Sequence, residues 1–145
     1  VREGDIIEIK DTKLVYHVLE TPGHTKDHIV YYNEDSLFCG DTVFGCGCGR
    51  LFEGTPEEMF NSLQKIKQLK PSTKVYCAHE YTMENIRFAL SLNKNNSLLN
   101  RRFDKDRLKS MTLPSTIEVE LTTNPFLLAE NSEEFKRIRL KKDAF

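Results

Sequence analysis

Apolar and polar positions change over in short runs along the first forty residues. Ile6-Ile7-Glu8-Ile9 is apolar-rich, and Leu14-Val15-Tyr16-His17-Val18-Leu19 is dense in β-formers. Ile29-Val30-Tyr31-Tyr32 and Ser36-Leu37-Phe38-Cys39 continue the pattern, and each run reads as a strand. Thr21-Pro22-Gly23 interrupts the series and Asn33-Glu34-Asp35 supplies a polar turn. The spacing predicts a meander with a loop between its second and third strands. The period then changes. Thr55-Pro56-Glu57-Glu58 combines a capping hydroxyl, a proline at the first helical position and the glutamate of a capping box. Met59, Phe60, Leu63, Ile66 and Leu69 lie on one stripe of the helix that follows, and Pro71 ends it. Residues 74–78 read as a further strand and residues 82–92 as a helix.

Past residue 92 the polar run Asn93-Lys94-Asn95-Asn96 reads as a linker. Beyond it the pattern predicts a basic amphipathic helix over 97–110. An extended stretch is expected between Pro114 and Pro125, and a last helix over 133–142. The organisation expected is an α/β part, residues 1–92, followed by a mainly helical part, residues 93–145.

Composition narrows the function classes. The 145 residues carry 21 Lys and Arg against 22 Asp and Glu, a net charge of −1. That balance argues against a general nucleic-acid binder, which shows a basic excess. No run approaches the ~18 apolar residues of a membrane span, so no membrane partner is expected. The four cysteines, Cys39, Cys46, Cys48 and Cys77, sit beside strand-like or glycine-rich sequence and are expected as buried or partly buried free thiols. Cys46-Gly47-Cys48 is half of a zinc-site spacing with no second pair to complete it. No signal peptide is visible, and free thiols suit a reducing compartment. The expected location is therefore cytoplasmic, with a mitochondrial or other organellar address left open. The chain opens Val1-Arg2-Glu3-Gly4 without a methionine and is expected to be part of a longer protein.

Three metal-capable groups follow strand-like runs. His24 comes after Pro22-Gly23, Asp41 after Gly40 and His79 after Ala78. Singly, each has an ordinary explanation: a histidine is more often a hydrogen-bonded structural residue, and Gly-Asp is common in turns. Together they repeat one arrangement, a strand and then a short loop bearing an imidazole or carboxylate. Such loops are where rigid scaffolds display functional groups. These donors suit Zn²⁺, Fe or Mn²⁺. His28 lies four residues after His24, but the flanking loop and strand argue against a helical ligand pair, so a supporting role is expected. His17, inside a strand, is expected to pack.

Ordered along the chain, Thr21-Pro22-Gly23-His24-Thr25, Gly40-Asp41-Thr42-Val43-Phe44 and Tyr76-Cys77-Ala78-His79-Glu80-Tyr81-Thr82 resemble the later motifs of the metallo-β-lactamase superfamily. More narrowly, the chain resembles glyoxalase II, the hydroxyacylglutathione hydrolases. The glycine-rich Cys48-Gly49-Arg50-Leu51-Phe52-Glu53-Gly54-Thr55, then Leu113-Pro114-Ser115-Thr116, Asn124-Pro125-Phe126 and the terminal Arg139-Leu140-Lys141-Lys142-Asp143-Ala144-Phe145 carry that narrower likeness. The resemblance implies an α/β fold. Its parts would be the second half of an αββα sandwich and a C-terminal helical glutathione-binding domain.

It also implies a metal centre of two divalent ions, zinc or else iron or manganese, sharing Asp41, with His24 on one and His79 on the other. These groups would be catalytic through hydroxide activated by the ion pair. The implied substrate is a glutathione thioester, S-D-lactoylglutathione or a related 2-hydroxyacyl glutathione, released as glutathione and D-lactate in methylglyoxal detoxification. The resemblance places Arg50, Phe52, Tyr81, Arg139 and Lys142 against the glutathione moiety, whose carboxylates suit a bidentate guanidinium.

Departures from the family pattern are specific. Arg50 stands where lysine is common, Phe52 where tyrosine is common, Asp27 for a glycine and Leu128 for an arginine. The family's early His-x-His-x-Asp-His motif is not in these residues. His24 with Asp41, and His79 with Asp41, give each ion two protein donors, against the three a catalytic zinc normally keeps. The chain is therefore expected to bind metal poorly or not at all, and not to turn over substrate alone. Two other readings stand beside this one: a mononuclear-iron persulfide dioxygenase of the same superfamily, disfavoured by the C-terminal segment, and a non-catalytic glutathione-binding module.

Overall fold

The computed structural model describes residues 1–145. Strands β1 (Ile6–Glu8), β2 (Val15–Glu20), β3 (Ile29–Tyr32) and β4 (Ser36–Gly40) form an antiparallel meander, as the alternation predicts. The β3–β4 turn is set by Asn33, whose side-chain oxygen accepts from the amides of Asp35 and Ser36 at 3.0 and 2.9 Å. After β4 the chain makes a small hairpin of β5 (Val43–Phe44) and β6 (Gly47–Cys48). It then enters helix α1 (Pro56–Lys67) and returns as β7 (Lys74–Cys77), parallel to β4. The capping box at Thr55 is complete: Glu58 donates its amide to the Thr55 hydroxyl, and the Glu58 carboxylate accepts from the Thr55 amide at 2.7 Å.

Four more helices and one strand follow α2 (Thr82–Leu92): α3 (Ser97–Asp106), β8 (Ser115–Thr116), α4 (Ile117–Thr123), α5 (Pro125–Leu128) and α6 (Ser132–Asp143). β8 pairs with β7, so the sheet order is β1-β2-β3-β4-β7-β8. One face of the sheet, through Val30, Leu37 and Val75, meets Met59, Leu63 and Ile66 of α1. Phe126, Phe135 and Ile138 of α5 and α6 join the same cluster. The core thus runs without a break across residue 93. The other face carries an aromatic row, Tyr16, Phe38 and Tyr76, with ring centroids 5.6 and 5.2 Å apart, and Phe38 is exposed. No helix is long and apolar enough to cross a membrane.

The structure corrects two expectations and fills one gap. The stretch between Pro114 and Pro125 is not extended but mostly the helix α4. Ile117, Val119, Thr122 and Thr123 are β-branched and weak helix formers. The helix is fixed instead by the Thr116 hydroxyl capping the Val119 amide and by Glu120, which is wholly buried against Arg102 at 2.6 Å. The helix expected over 97–110 stops at Asp106. The glycine cluster, which had no element assigned, holds the β5–β6 hairpin.

The Thr55 cap sits on an exposed helix start and makes no other contribution. Thr55→Ala is expected to cost about 1 kcal/mol, read as a lower urea midpoint at unchanged slope. An unchanged midpoint would show the capping box to be idle.

Candidate functional site

The loop after β2 begins with Thr21 and Pro22, then Gly23 and His24. His24 donates Nδ1–H to the Arg50 carbonyl at 2.9 Å. That bond fixes the tautomer and leaves Nε2 as the free lone pair, the arrangement that metal-ligating histidines share. The Phe52 ring lies 4.9 Å from the His24 ring.

Asp41 follows β4 at a bend that only glycine tolerates. Gly40 has φ +50, and a Cβ there would come within 2.9 Å of His28 Nε2. His28 is the support expected of it. Its Nε2 accepts from the Asp41 amide at 3.3 Å, and its Nδ1–H is shared by the hydroxyls of Thr21 and Thr42 at 3.2 and 3.1 Å. Burial, and then the neighbouring His24, hold its pKa below the ordinary histidine value, consistent with a neutral ring that accepts at Nε2.

His79 follows β7. Its Nε2 is 3.3 Å from Asp41 Oδ1, and its ring stacks on Tyr81 at 4.8 Å and 14°. Phe44 meets both rings edge-on, at 5.9 and 5.4 Å. His17, by contrast, lies exposed in β2 away from this region, where its ring tilts against Tyr32 across the strand pair rather than packing inside.

All eight residues singled out from the sequence, His24, Asp41, Arg50, Phe52, His79, Tyr81, Arg139 and Lys142, line one cleft of about 620 Å³. That volume falls within the ordinary range of small-ligand pockets. Arg50 is exposed and reaches Asp143 at 4.0 Å. Lys142 lies over the Phe88 and Phe145 rings at 5.5 and 5.4 Å, with Glu84 at 3.3 Å. Arg139 is different. It is 4% exposed, donates to the Cys48 carbonyl at 2.9 Å and to Asp143 at 2.8 Å, and lies over Phe126. Its guanidinium is largely committed to the fold. Asp27 and Leu128, two of the family departures, do not line the cleft.

Sequence reasoning missed Phe44, Glu84, Asn85 and Asp143, which also line the cleft. Asp143 had a signal, because it stands four residues after Arg139 on one helix face. Glu84 and Asp143 place a carboxylate beside each cation, so the cleft is charge-balanced rather than a bare cationic patch.

The donors fit a divalent ion in kind, with two imidazoles and a carboxylate, one imidazole already oriented by a carbonyl. In number they fall short of a centre: no three His, Cys, Asp or Glu donors converge on one point.

Comparison with known proteins divides the chain at this cleft. Residues 1–79 match the family described as the metallo-beta-lactamase superfamily, and residues 80–145 match the hydroxyacylglutathione hydrolase C-terminus. A hydroxyacylglutathione hydrolase of Shewanella baltica is 54% identical over 120 residues, covering 80% of this chain and 46% of that protein. One from Pseudomonas aeruginosa is 47% identical over 144 residues, covering 94% of this chain and 55% of that protein. The chain therefore spans about half the length of the curated relatives it matches. The crystal structure of ETHE1 from Myxococcus xanthus superposes with a TM-score of 0.69 at 30% identity, over 97% of this chain and 50% of that one.

The cysteines are free, as expected, and three of them are buried. Burial pushes Cys46 up to about 12 and Cys48 up to about 11, and raises Cys39 and Cys77 as well. Since the thiolate is the reactive form, the native chain at pH 8 should react slowly with a disulfide reagent such as Ellman's, half-exposed Cys77 first. All four thiols should react at once in urea. Rapid native labelling of Cys46 or Cys48 would contradict their burial.

Proposed function

Because the chain belongs to the metallo-β-lactamase superfamily and carries a C-terminal segment of the hydroxyacylglutathione hydrolase type, we propose that it serves the hydrolysis of a 2-hydroxyacyl glutathione thioester, S-D-lactoylglutathione, to glutathione and D-lactate. The observation that carries the reading is the single cleft in which metal-capable donors and cations meet. Superfamily membership implies divalent-metal binding, and His24 Nε2, the Asp41 carboxylate and His79 Nε2 are the groups that would hold metal here. Bound there, it would supply Lewis acidity toward a carbonyl oxygen and a lowered pKa for water.

The chain's own residues do the rest. Arg50 and Lys142 bind the carboxylates of the glutathionyl moiety, Arg50 with the fork geometry that suits them. Lys142 is preoriented by Phe88 and Phe145, so little side-chain freedom remains to be lost on binding. Phe52 and Tyr81 flank the two imidazoles and limit where a thioester can lie. The Arg50 carbonyl keeps the His24 proton on Nδ1. Arg139 holds the Cys48 carbonyl and Asp143, shaping the cleft more than gripping the ligand. A glutathione thiolate is a good leaving group because its parent thiol is far more acidic than an alcohol.

A non-catalytic glutathione-binding module is the second reading. The observation that favours it is the lack of three converging donors in these residues.

Calorimetric titration of the chain with glutathione tests both readings. Binding is expected, and Lys142→Ala should weaken it by about tenfold, the loss of one charge-assisted hydrogen bond, with Arg50→Ala weakening it at least as much because its fork makes two. Failure of the chain to bind glutathione removes both readings. Elemental analysis and an S-D-lactoylglutathione assay with added zinc, iron or manganese then separate them. Well under two metals per chain and poor turnover are expected from the donor count, and a full binuclear complement with robust hydrolysis would overturn that count.

A further inference from the structure

The β5–β6 hairpin and the two residues after it, Gly49 and Arg50, lie against the segments that carry the metal-capable donors. Phe44 abuts the His79 ring, a Cβ at Gly49 would run into the Asp41 carbonyl, and the Arg50 carbonyl just beyond fixes the His24 proton. Yet side chains from elsewhere satisfy much of the hairpin's backbone. The Glu120 carboxylate accepts from the Cys46 amide at 2.8 Å. Asn124 Nδ2 donates to the carbonyls of Gly47 at 2.9 Å and Phe44 at 3.3 Å, and to Glu120 at 3.0 Å. Cys46 itself sits at φ +57, a strained value for a residue with a side chain. Glu120 and Asn124 are both fully buried, and the second Glu120 oxygen is bound by Arg102 and the Ser115 hydroxyl.

We infer that Glu120 and Asn124 are positioning residues for His24, Asp41 and His79, acting through the hairpin. They hold no ligand. Their effect is to stop the hairpin at one depth, which sets the Arg50 carbonyl on His24 Nδ1 and the Phe44 edge on His79. The inference rests on the proposed function only in taking those three groups as the donors. Its geometry is independent of turnover.

The substitution Glu120→Gln tests it, because an amide has one acceptor oxygen where the carboxylate has two. The amide must therefore present NH2 either to the Cys46 and Asn124 donors or to Arg102. The readout is the pair of imidazole ¹⁵N shifts of His24 in the full chain, which reports its tautomer. In the unaltered chain Nδ1 should carry the proton. In Glu120→Gln the two shifts should move toward each other as the tautomers mix, with the Cys46 amide exchanging about tenfold faster.

Asp106→Asn is the control. Asp106 is buried in the same network through Arg102 Nε at 3.4 Å and Lys109 at 2.6 Å, and none of its hydrogen bonds reaches the hairpin. It should leave the His24 shifts unchanged. Asn124→Ser, which keeps Glu120 and Arg102 paired, carries the same test if Glu120→Gln does not fold. Unchanged His24 shifts in a folded Glu120 or Asn124 variant overturn the inference. Equal shifts in Asp106→Asn, or loss of fold in both positioning variants, also reduce the network to a structural role. Failure of glutathione binding would leave these shifts as predicted and so strikes the proposed function alone.

Discussion

Glu120 is a carboxylate with no exposed surface that joins two distant stretches of chain, the Cys46 amide and Arg102 of α3, to Ser115 and Asn124 on either side of its own helix α4. A buried charge is tolerable only when its lone pairs are met, and removing one partner of such a pair costs about 3–5 kcal/mol. The group therefore constrains all of its partners at once. It draws α4 against α3, and both against the glycine hairpin that carries the cleft wall. Gly45 and Gly47 let the hairpin sit close to Thr82 and Asn85, where a Cβ would have no room. The hairpin is held from the other side as well, by Asn85 on the Gly45 carbonyl and Arg139 on the Cys48 carbonyl.

Contacts also cross the polar run at residues 93–96. The hydrophobic cluster passes from Val30, Leu37 and Val75 through α1 into Phe126, Phe135 and Ile138, and β8 extends the sheet begun by the first strands. The two family matches meet at residues 79 and 80, between His79 and Tyr81, in the wall of the cleft itself. Donors come from the first segment, and Tyr81 and Lys142 from the second. A ligand in the cleft would touch both, and so its binding energy would depend on how firmly the hairpin joins them.

Several features were readable along the chain. The period-two runs place β2, β3 and β4 within a residue or so, and the Thr55 to Glu58 capping box marks the start of α1. The positions of His24, Asp41 and His79 after strands pointed to one site, and the structure brings all three into one cleft. What the pattern misread was the segment after Pro114. Its β-branched residues favour strand by local propensity, and the helix forms because Glu120 has to reach the interior. The same limit hid Phe44 and Glu84, whose places in the cleft follow from the fold and not from neighbours in sequence.

Sequence alone determined the inventory: which strands and helices have the periodicity to bury a face, which thiols sit in apolar surroundings, and which donors stand at strand ends. Only the tertiary structure decided how those groups are used. Arg139 reads from sequence as a carboxylate-binding cation, yet the fold buries it and spends its donors on Cys48 and Asp143. His28 reads from sequence only as a support near His24, and the fold decides what it supports by turning its Nε2 onto the Asp41 amide. The reason is the same in both. A side chain's periodicity and charge are local properties, but its hydrogen-bond partners are fixed by residues far along the chain. In a buried site those partners decide whether a charged or polar group is free to meet a ligand.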